Sequence, residues 1–265
     1  MRAAELSPLL LAIDVGNTNI VIGVFQGEEI VADWRIATDG HTMPDEYAVL
    51  FQGLMGYHGL TMADIHDAII ASVVPKVTSN LREMIQRYLK MDPLVVGPGI
   101  ETGVRIAIDN PREVGADRVV NALAAYRLYG GPAVVVDLGT ATTFDAVSAS
   151  GEYMGGAIAP GILTSVEALS RQTARLPRVD MVRPPRAIGR DTLSAMQSGI
   201  ILGHAAMVEG MIKRIAAELD GEPMVIATGG LCTVIAAEVP LIQVADKTLT
   251  LKGLRIMYDL NRPGS

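Results

Sequence analysis

Two short segments of the sequence carry the residue types that bind a nucleotide phosphate together with its metal ion. Each is a buried apolar strand that runs into an Asp-x-Gly turn followed by Asn or Thr; the segments are Leu10–Thr18 and Val134–Thr142. The aspartate at the end of such a strand can face a cation, and the glycine lets the backbone approach a phosphate closely. Thr and Asn side chains and exposed N–H groups donate hydrogen bonds to phosphate oxygens. Either segment alone is also typical of a plain hairpin turn, but the repetition favours phosphate binding.

A third segment, Ala227–Gly230, places paired glycines between a predicted strand and a predicted helix. Such glycines let a flat group lie against the backbone, although a tight strand-to-helix turn has the same composition. The sequence has no Gly-x4-Gly-Lys-(Ser/Thr) segment, which argues against a P-loop enzyme. Gly97–Gly103 is rich in glycine, but its spacing misses the dinucleotide-binding pattern, and we interpret it as a loop.

The phosphate turns must be positioned by strands, and the sequence predicts three successive strands around each of them. These are residues 9–13, 20–25 and 29–36 in the first half, and 133–136, 143–147 and 153–158 in the second. Helical patterns alternate with further apolar runs, which is typical of an α/β layer; they cover residues 45–57, 77–89, 113–129 and about 193–219. Gly130, Gly131 and Pro132 end the third of these helices. We therefore predict two domains, residues 1–131 and 132–265.

The composition of this 265-residue chain argues against several classes of protein. Apolar residues make up 49% and charged residues 19%, so we expect a packed core rather than disorder. The net charge is −7 and Lys and Arg do not cluster, so we expect no nucleic-acid partner. The single cysteine, Cys232, cannot form an intrachain disulfide, and no Cys and His spacing predicts zinc; a cytoplasmic setting fits. No apolar run approaches the roughly 18 residues of a membrane-spanning helix, so no membrane association is expected.

Six segments of the chain resemble, in the same order, those of type III pantothenate kinases. They are Asp14–Thr18, Glu113–Arg118, Asp137–Thr143, Gly155–Gly161, Ile188–Thr192 and Thr228–Gly230. The duplicated Asp-x-Gly units are also similar to the superfold shared by actin, the Hsp70 ATPase domain and sugar kinases. The resemblance implies an α/β fold of two duplicated ribonuclease-H-like (actin-like ATPase) domains, each a mixed sheet flanked by helices. It implies that ATP phosphorylates pantothenate to 4′-phosphopantothenate, the first step of coenzyme A biosynthesis.

The same resemblance implies roles for individual residues. The ATP-binding set is Asp14, Val15, Gly16, Asn17, Thr18, Asn19, Ile20, Val21, Thr140, Gly229 and Gly230, and the pantothenate-binding set is Gly115, Ala116, Asp117, Arg118 and Thr192. Asp117 is implied to be the base facing the attacking hydroxyl, and Asp137 to bind a monovalent cation, K⁺ or NH₄⁺. Asp14 would help to position Mg²⁺, directly or through water. Thr192 would reach pantothenate in the other subunit of a homodimer, and Ile108 replaces a tyrosine that some members place against the substrate.

Simpler interpretations of these residues stay open at this stage. Asp117 and Arg118 near the start of a helix are also typical of a cap with a surface charge pair. Asp191 or Thr192 could be a helix N-cap that binds no ligand. We assign no role to His41, His58, His66 or His204.

Two other functions stay open as well. One is a different small-molecule kinase of the same superfold, acting on a sugar or an acyl substrate, which Gly115–Arg118 would distinguish. The other is a non-catalytic nucleotide-binding regulator or scaffold. Retention of the three carboxylates Asp14, Asp117 and Asp137 disfavours a protein that has lost turnover.

Overall fold

The computed structural model describes residues 8–172 and 180–262, and its contacts group them into two compact units. The first unit contains the described residues of Met1–Gly103, Arg112–Leu123 and Thr250–Ser265. The second contains those of Val104–Pro111 and Ala124–Leu249. The chain passes from one unit to the other several times, and the domain boundary near residue 131 stays a prediction.

Five strands form the sheet of the first unit. They are β1 (Leu9–Val15), β2 (Asn19–Gln26), β3 (Glu29–Ala37), β4 (Ile65–Ser72) and β5 (Leu94–Val95). Their order in the sheet is β3-β2-β1-β4-β5. β1 runs antiparallel to β2 and parallel to β4, so this is a mixed sheet.

Six strands form the sheet of the second unit. They are β6 (Arg105–Ile106), β7 (Ala133–Leu138), β8 (Ala141–Val147), β9 (Glu152–Pro160), β10 (Met224–Thr228) and β11 (Val244–Ala245). Their order is β11-β10-β7-β8-β9-β6, with β7 antiparallel to β8 and parallel to β10. The order β9-β8-β7-β10-β11 repeats that of the first sheet strand for strand. The predicted fold class, two duplicated mixed sheets, is therefore confirmed.

The described residues contain eight α-helices. They are α1 (Pro44–Gly56), α2 (Pro75–Met84), α3 (Ala116–Tyr129), α4 (Ile162–Gln172), α5 (Thr192–Gln197), α6 (Gly203–Ala216), α7 (Cys232–Ala236) and α8 (Leu249–Leu260). Proline opens both α1 and α2, where its missing N–H costs no hydrogen bond. A π-helical turn, Ser198–Leu202, joins α5 to α6. None of these helices is both long and apolar enough to cross a bilayer.

Each sheet buries one face against helices of its own unit. In the first unit, β1 and β2 contribute Leu11 and Ile22 to a core that also contains Tyr47, Phe51 and Leu81 of α1 and α2. In the second unit, the core residues include Val136, Phe144, Ile162, Val208 and Ile235. These cores hold the ends of β1 and β7, and hence the two Asp-x-Gly turns, in defined positions.

Most predicted elements are present, and three differ. Residues 104–108, which follow the predicted Gly97–Gly103 loop, contain only the two-residue strand β6, which pairs with β9 in the second sheet. Helices α4 and α8 were not predicted. Part of α8 packs against the first sheet, since a Cβ on Gly23 of β2 would lie 2.8 Å from Leu251 Cδ1. Local sequence does not encode this long-range contact.

Candidate active site

The first Asp-x-Gly turn joins β1 to β2 and is stabilised by hydrogen bonds from Thr38, which lies outside the turn. The Gly16 N–H donates to the Asn19 carbonyl at 2.9 Å, which closes the turn. The Thr38 hydroxyl donates to the Gly16 carbonyl at 2.7 Å, and the Thr38 N–H donates to the Thr18 carbonyl at 2.9 Å. Asn17 and Thr18 are exposed at the tip of the turn. The turn is thus a fixed loop that presents polar groups to solvent.

Asp14 and Ile20, which are also predicted to bind ATP, differ in how deeply they are buried. Asp14 is half-buried near the end of β1, directly opposite Val21 of β2. Ile20 is fully buried and belongs to the apolar core of the first unit. Any contact of Ile20 with a nucleotide would therefore come from its backbone.

The second Asp-x-Gly turn joins β7 to β8 and lies against the start of α4. The Gly139 N–H donates to the Ala141 carbonyl at 3.0 Å. The Thr140 carbonyl accepts hydrogen bonds from the Gly161 N–H at 3.2 Å and from the Thr164 hydroxyl at 2.7 Å. A Cβ on Gly161 would overlap that carbonyl oxygen, so only glycine allows this approach. Thr140 itself is exposed.

Asp137 lies in a row of residues across the second sheet. In the strand register it faces Thr143 of β8 on one side and Thr228 of β10 on the other. Gly229 follows Thr228 with a φ of +88°, and a Cβ there would lie 2.6 Å from Asp137 Oδ1. The structure therefore brings Gly229, predicted to bind ATP, next to the predicted cation ligand.

The groups around Asp137 suit a cation that prefers oxygen ligands. Its neighbours in the register contribute hydroxyls, and Gly139 and Gly229 leave space because they lack side chains. Carboxylate and hydroxyl oxygens bind hard cations, whereas softer metals favour sulfur and imidazole. Within residues 8–172 and 180–262, no group of three or more His, Cys, Asp or Glu side chains could hold a metal. The donor set fits a hard cation, such as a monovalent or alkaline-earth ion.

Asp117 occupies the first turn of α3. Its Oδ1 accepts the Arg118 N–H at 2.9 Å, and the Gly115 carbonyl accepts the N–H groups of Arg118 and Val119. A Cβ on Gly115 would lie 2.5 Å from Asp117 Oδ1, so this carboxylate position requires glycine at residue 115. The contact with Arg118 lies within the first turn of α3. Because Asp117 stays half-exposed, the contact leaves room for a role in chemistry.

Val73 connects the predicted substrate residues to the first phosphate turn. Its N–H donates to the Val15 carbonyl at the end of β1 at 3.1 Å. Its Cγ1 would lie 3.8 Å from a Cβ on Gly115. The Asp14 turn and the Gly115–Arg118 segment are therefore neighbours within the first unit.

Thr192 is the first residue of α5, and the N-cap of this helix is Asp191. Asp191 Oδ1 accepts the Ser194 N–H at 2.8 Å, and this bond lowers the pKa of the Asp191 carboxyl. Of the two cap candidates, Asp191 fills that role, and Thr192 remains exposed. Ile108 is half-buried in the second unit, with its Cγ2 3.3 Å from a Cβ built on Gly155.

Sequence reasoning missed several buried polar groups of the second unit. Thr142 Oγ1 lies 2.9 Å from His204 Nε2, and burial lowers the pKa of this histidine. On the other face of β8, Asp145 accepts hydrogen bonds from Thr143 and Tyr153. Asp145 could have been noticed in the sequence, because it is a charged residue within an otherwise apolar predicted strand. Nothing local indicated that His204 would pair with β8.

Comparisons with known proteins identify the family of this chain. The sequence profile described as type III pantothenate kinase matches residues 10–214. A type III pantothenate kinase of Moorella thermoacetica is 54% identical over 253 residues, covering 96% of this chain and 100% of that protein. One of Geobacter sulfurreducens is 51% identical over 254 residues, with coverages of 96% and 100%.

Solved structures with low sequence identity share the fold. The ethanolamine utilization protein EutJ of Carboxydothermus hydrogenoformans has a TM-score of 0.55 and 15% identity, covering 95% of this chain and 92% of its own. An inorganic polyphosphate/ATP-glucomannokinase of an Arthrobacter species has a TM-score of 0.51 and 13% identity, with coverages of 97% and 100%. These likenesses concern the fold alone. The profile match and the near full-length relatives establish that this chain belongs to the type III pantothenate kinase family.

Proposed function

We propose that this chain transfers the terminal phosphoryl group of ATP to pantothenate, giving ADP and 4′-phosphopantothenate for coenzyme A biosynthesis. The observation that carries the proposal is the family match over residues 10–214, which includes both Asp-x-Gly turns and the Gly115–Arg118 segment. Phosphoryl transfer depends mainly on alignment and on neutralising charge, which fits turns whose backbone is held by hydrogen bonds. The first step of coenzyme A biosynthesis follows from the same family membership.

For ATP, we propose that the two turns bind the phosphates. Exposed Asn17 and Thr18 in the first turn and Thr140 in the second would donate to phosphate oxygens. The hydrogen bonds from Thr38 and Thr164 hold the backbone carbonyls of these turns in place before ATP arrives. Preorganised donors of this kind lose little entropy on binding.

For pantothenate, we propose that Gly115–Arg118 and Thr192 bind the substrate and that Asp117 accepts the proton of its attacking hydroxyl. A general base must be ionised and within hydrogen-bond reach of that proton. Asp117 is half-exposed on the first turn of α3, where its Oδ1 accepts the Arg118 N–H. Gly115 keeps space for it.

We further propose that Asp14 helps to hold Mg²⁺ and that Asp137 binds K⁺ or NH₄⁺. Bound cations of this kind neutralise the negative charge of the phosphates during transfer. The position of Asp14 at the end of β1 and the oxygen-rich row around Asp137 support these assignments.

We also propose that the protein is a homodimer in which Thr192 completes the partner's site. Thr192 is exposed, and its neighbours Ile188 and Leu193 are large apolar residues that are 82% and 45% exposed. Such residues often become buried in an interface. Because the reaction consumes ATP, we place it in the cytoplasm, where the lone buried thiol of Cys232 also stays reduced.

A coupled ADP-release assay on the purified full-length chain tests the substrate. Pantothenate should support ADP release well above that seen with a panel of sugars and carboxylic acids. Asp117→Asn serves as the matched control, because it removes the proposed base with almost no change in shape. Comparable rates on sugars with none on pantothenate would contradict the proposal and favour another kinase of the same fold.

A further inference from the structure

Asp145 is a fully buried carboxylate in the middle of β8, and the proposed reaction does not account for it. Its neighbour in sequence, Phe144, points into the apolar core of the second unit. Since side chains alternate along a strand, Thr143 and Asp145 lie on the opposite face, which also carries Asp137. Burying a carboxylate is costly unless hydrogen bonds compensate.

Two hydroxyl groups bind this carboxylate. The Tyr153 hydroxyl donates to Asp145 Oδ1 at 2.9 Å, and the Thr143 hydroxyl donates to Asp145 Oδ2 at 3.2 Å. Tyr153 is itself fully buried, so its hydroxyl depends on a protein partner. Carboxylate oxygens accept hydrogen bonds, and in this arrangement both hydroxyls donate to Asp145.

This arrangement determines how Thr143 faces Asp137. A hydroxyl has one proton and two lone pairs, and the proton of Thr143 points to Asp145. The lone pairs therefore remain for a second partner. Thr143 is directly opposite Asp137 in the antiparallel pair of β7 and β8. Directly opposite residues on one face have Cβ atoms about 4.5–5.5 Å apart, close enough to share a bound ion.

We propose that Thr143 Oγ1 is a ligand, together with Asp137, for the monovalent cation, and that Asp145 is a positioning residue. By accepting the Thr143 proton, Asp145 keeps a lone pair of that hydroxyl available to the ion. A hydroxyl free to rotate would spend part of its time with the proton facing the cation. The inference rests on the proposed function only in assuming a monovalent cation at Asp137.

Direct binding of thallium(I), a monovalent cation close to potassium in size, tests this inference without turnover. The full-length protein, in a buffer free of sodium and potassium, is titrated with thallium(I) nitrate by calorimetry, and each variant's thermal midpoint is recorded. We expect Thr143→Val to raise the thallium Kd by about tenfold or more, and Asp145→Asn by about tenfold, as for other residues that support a metal site. Thr143→Ser retains the hydroxyl and should bind within about threefold of the wild type.

Thr142→Val is the matched control, because it makes the same substitution at the adjacent residue. The hydroxyl that it removes pairs with His204 on the other face of β8. It should leave the thallium Kd unchanged. Folded Thr143→Val or Asp145→Asn protein that binds thallium as tightly as the wild type would overturn the corresponding role. If Thr143→Val does not fold, Thr143→Ala provides the same comparison. A wild type that binds no thallium would also overturn the inference.

The kinase assay separates this inference from the proposed function. A wild type that binds thallium but does not phosphorylate pantothenate contradicts the proposed function and leaves the role of Thr143 intact. A wild type that phosphorylates pantothenate, with a Thr143→Val variant of unchanged thallium affinity, contradicts the role of Thr143 alone.

Discussion

Gly229→Ala should destabilise the protein through two separable effects. Gly229 has a φ of +88°, where a side chain costs about 1–2 kcal/mol. An added Cβ would also lie 2.7 and 2.8 Å from the backbone carbon and nitrogen of Leu138, at the end of the central strand β7. That backbone cannot shift without disturbing its sheet partners, so overpacking adds about 1–3 kcal/mol. At about 2–4 °C per kcal/mol, the thermal midpoint should fall by about 4–20 °C.

Gly221→Ala isolates the backbone effect. Gly221 has a φ of +95°, but a Cβ there would meet only Pro132 Cγ at an ordinary 3.8 Å. Thermal and urea unfolding of both variants, followed by circular dichroism, should show the larger loss at Gly229. The difference between the two losses measures the contacts of the added Cβ with Leu138 and with Asp137 Oδ1. Equal losses would refute the reasoning, because they would mean that β7 yields to the added methyl group at no cost.

Four further expectations concern the site. Asp117→Asn should lower kcat by about 100-fold without unfolding the protein, as for loss of a general base; more than half the wild-type turnover would leave Asp117 as a helix-start residue. If sites are shared between subunits, mixing inactive Asp117→Asn and Thr192→Arg subunits should restore about a quarter of wild-type activity. If each site belongs to one chain, mixing should restore no activity although mass measurements confirm subunit exchange. If Asp137 binds a monovalent cation, turnover should require potassium or ammonium, and equal rates with magnesium alone would argue against it. Burial lowers the pKa of His204, so as the pH falls the unfolded chain binds a proton at this histidine before the folded chain does. The contribution of His204 to stability should therefore be present above the usual histidine pKa and be lost as the pH falls. The Tm difference between the wild type and His204→Gln should become smaller from about pH 7 to about pH 5, and a constant difference would contradict this.

The fold could be predicted largely from local patterns. The three-strand runs on either side of each turn show apolar periodicity, and the structure places β1 to β3 and β7 to β9 where those runs occur. Helix α8 was missed although its apolar residues follow helical spacing; what the local sequence does not show is the contact of this helix with β2. The two residues of β6 carry too little pattern to identify β9 as their partner.

The site divides in the same way. Three aspartates can be identified from the sequence: Asp14, Asp117 and Asp137. Each has a glycine and polar residues next to it in the chain, and these neighbours determine the local turn or helix start. Only the tertiary structure places Gly229 against Asp137, because parallel pairing of β7 and β10 joins residues that are distant in the chain. It alone also reveals the hydrogen bonds of Asp145 with Thr143 and Tyr153. Strand alternation and register, rather than residue type, decide which polar side chains share a face and how their protons are directed.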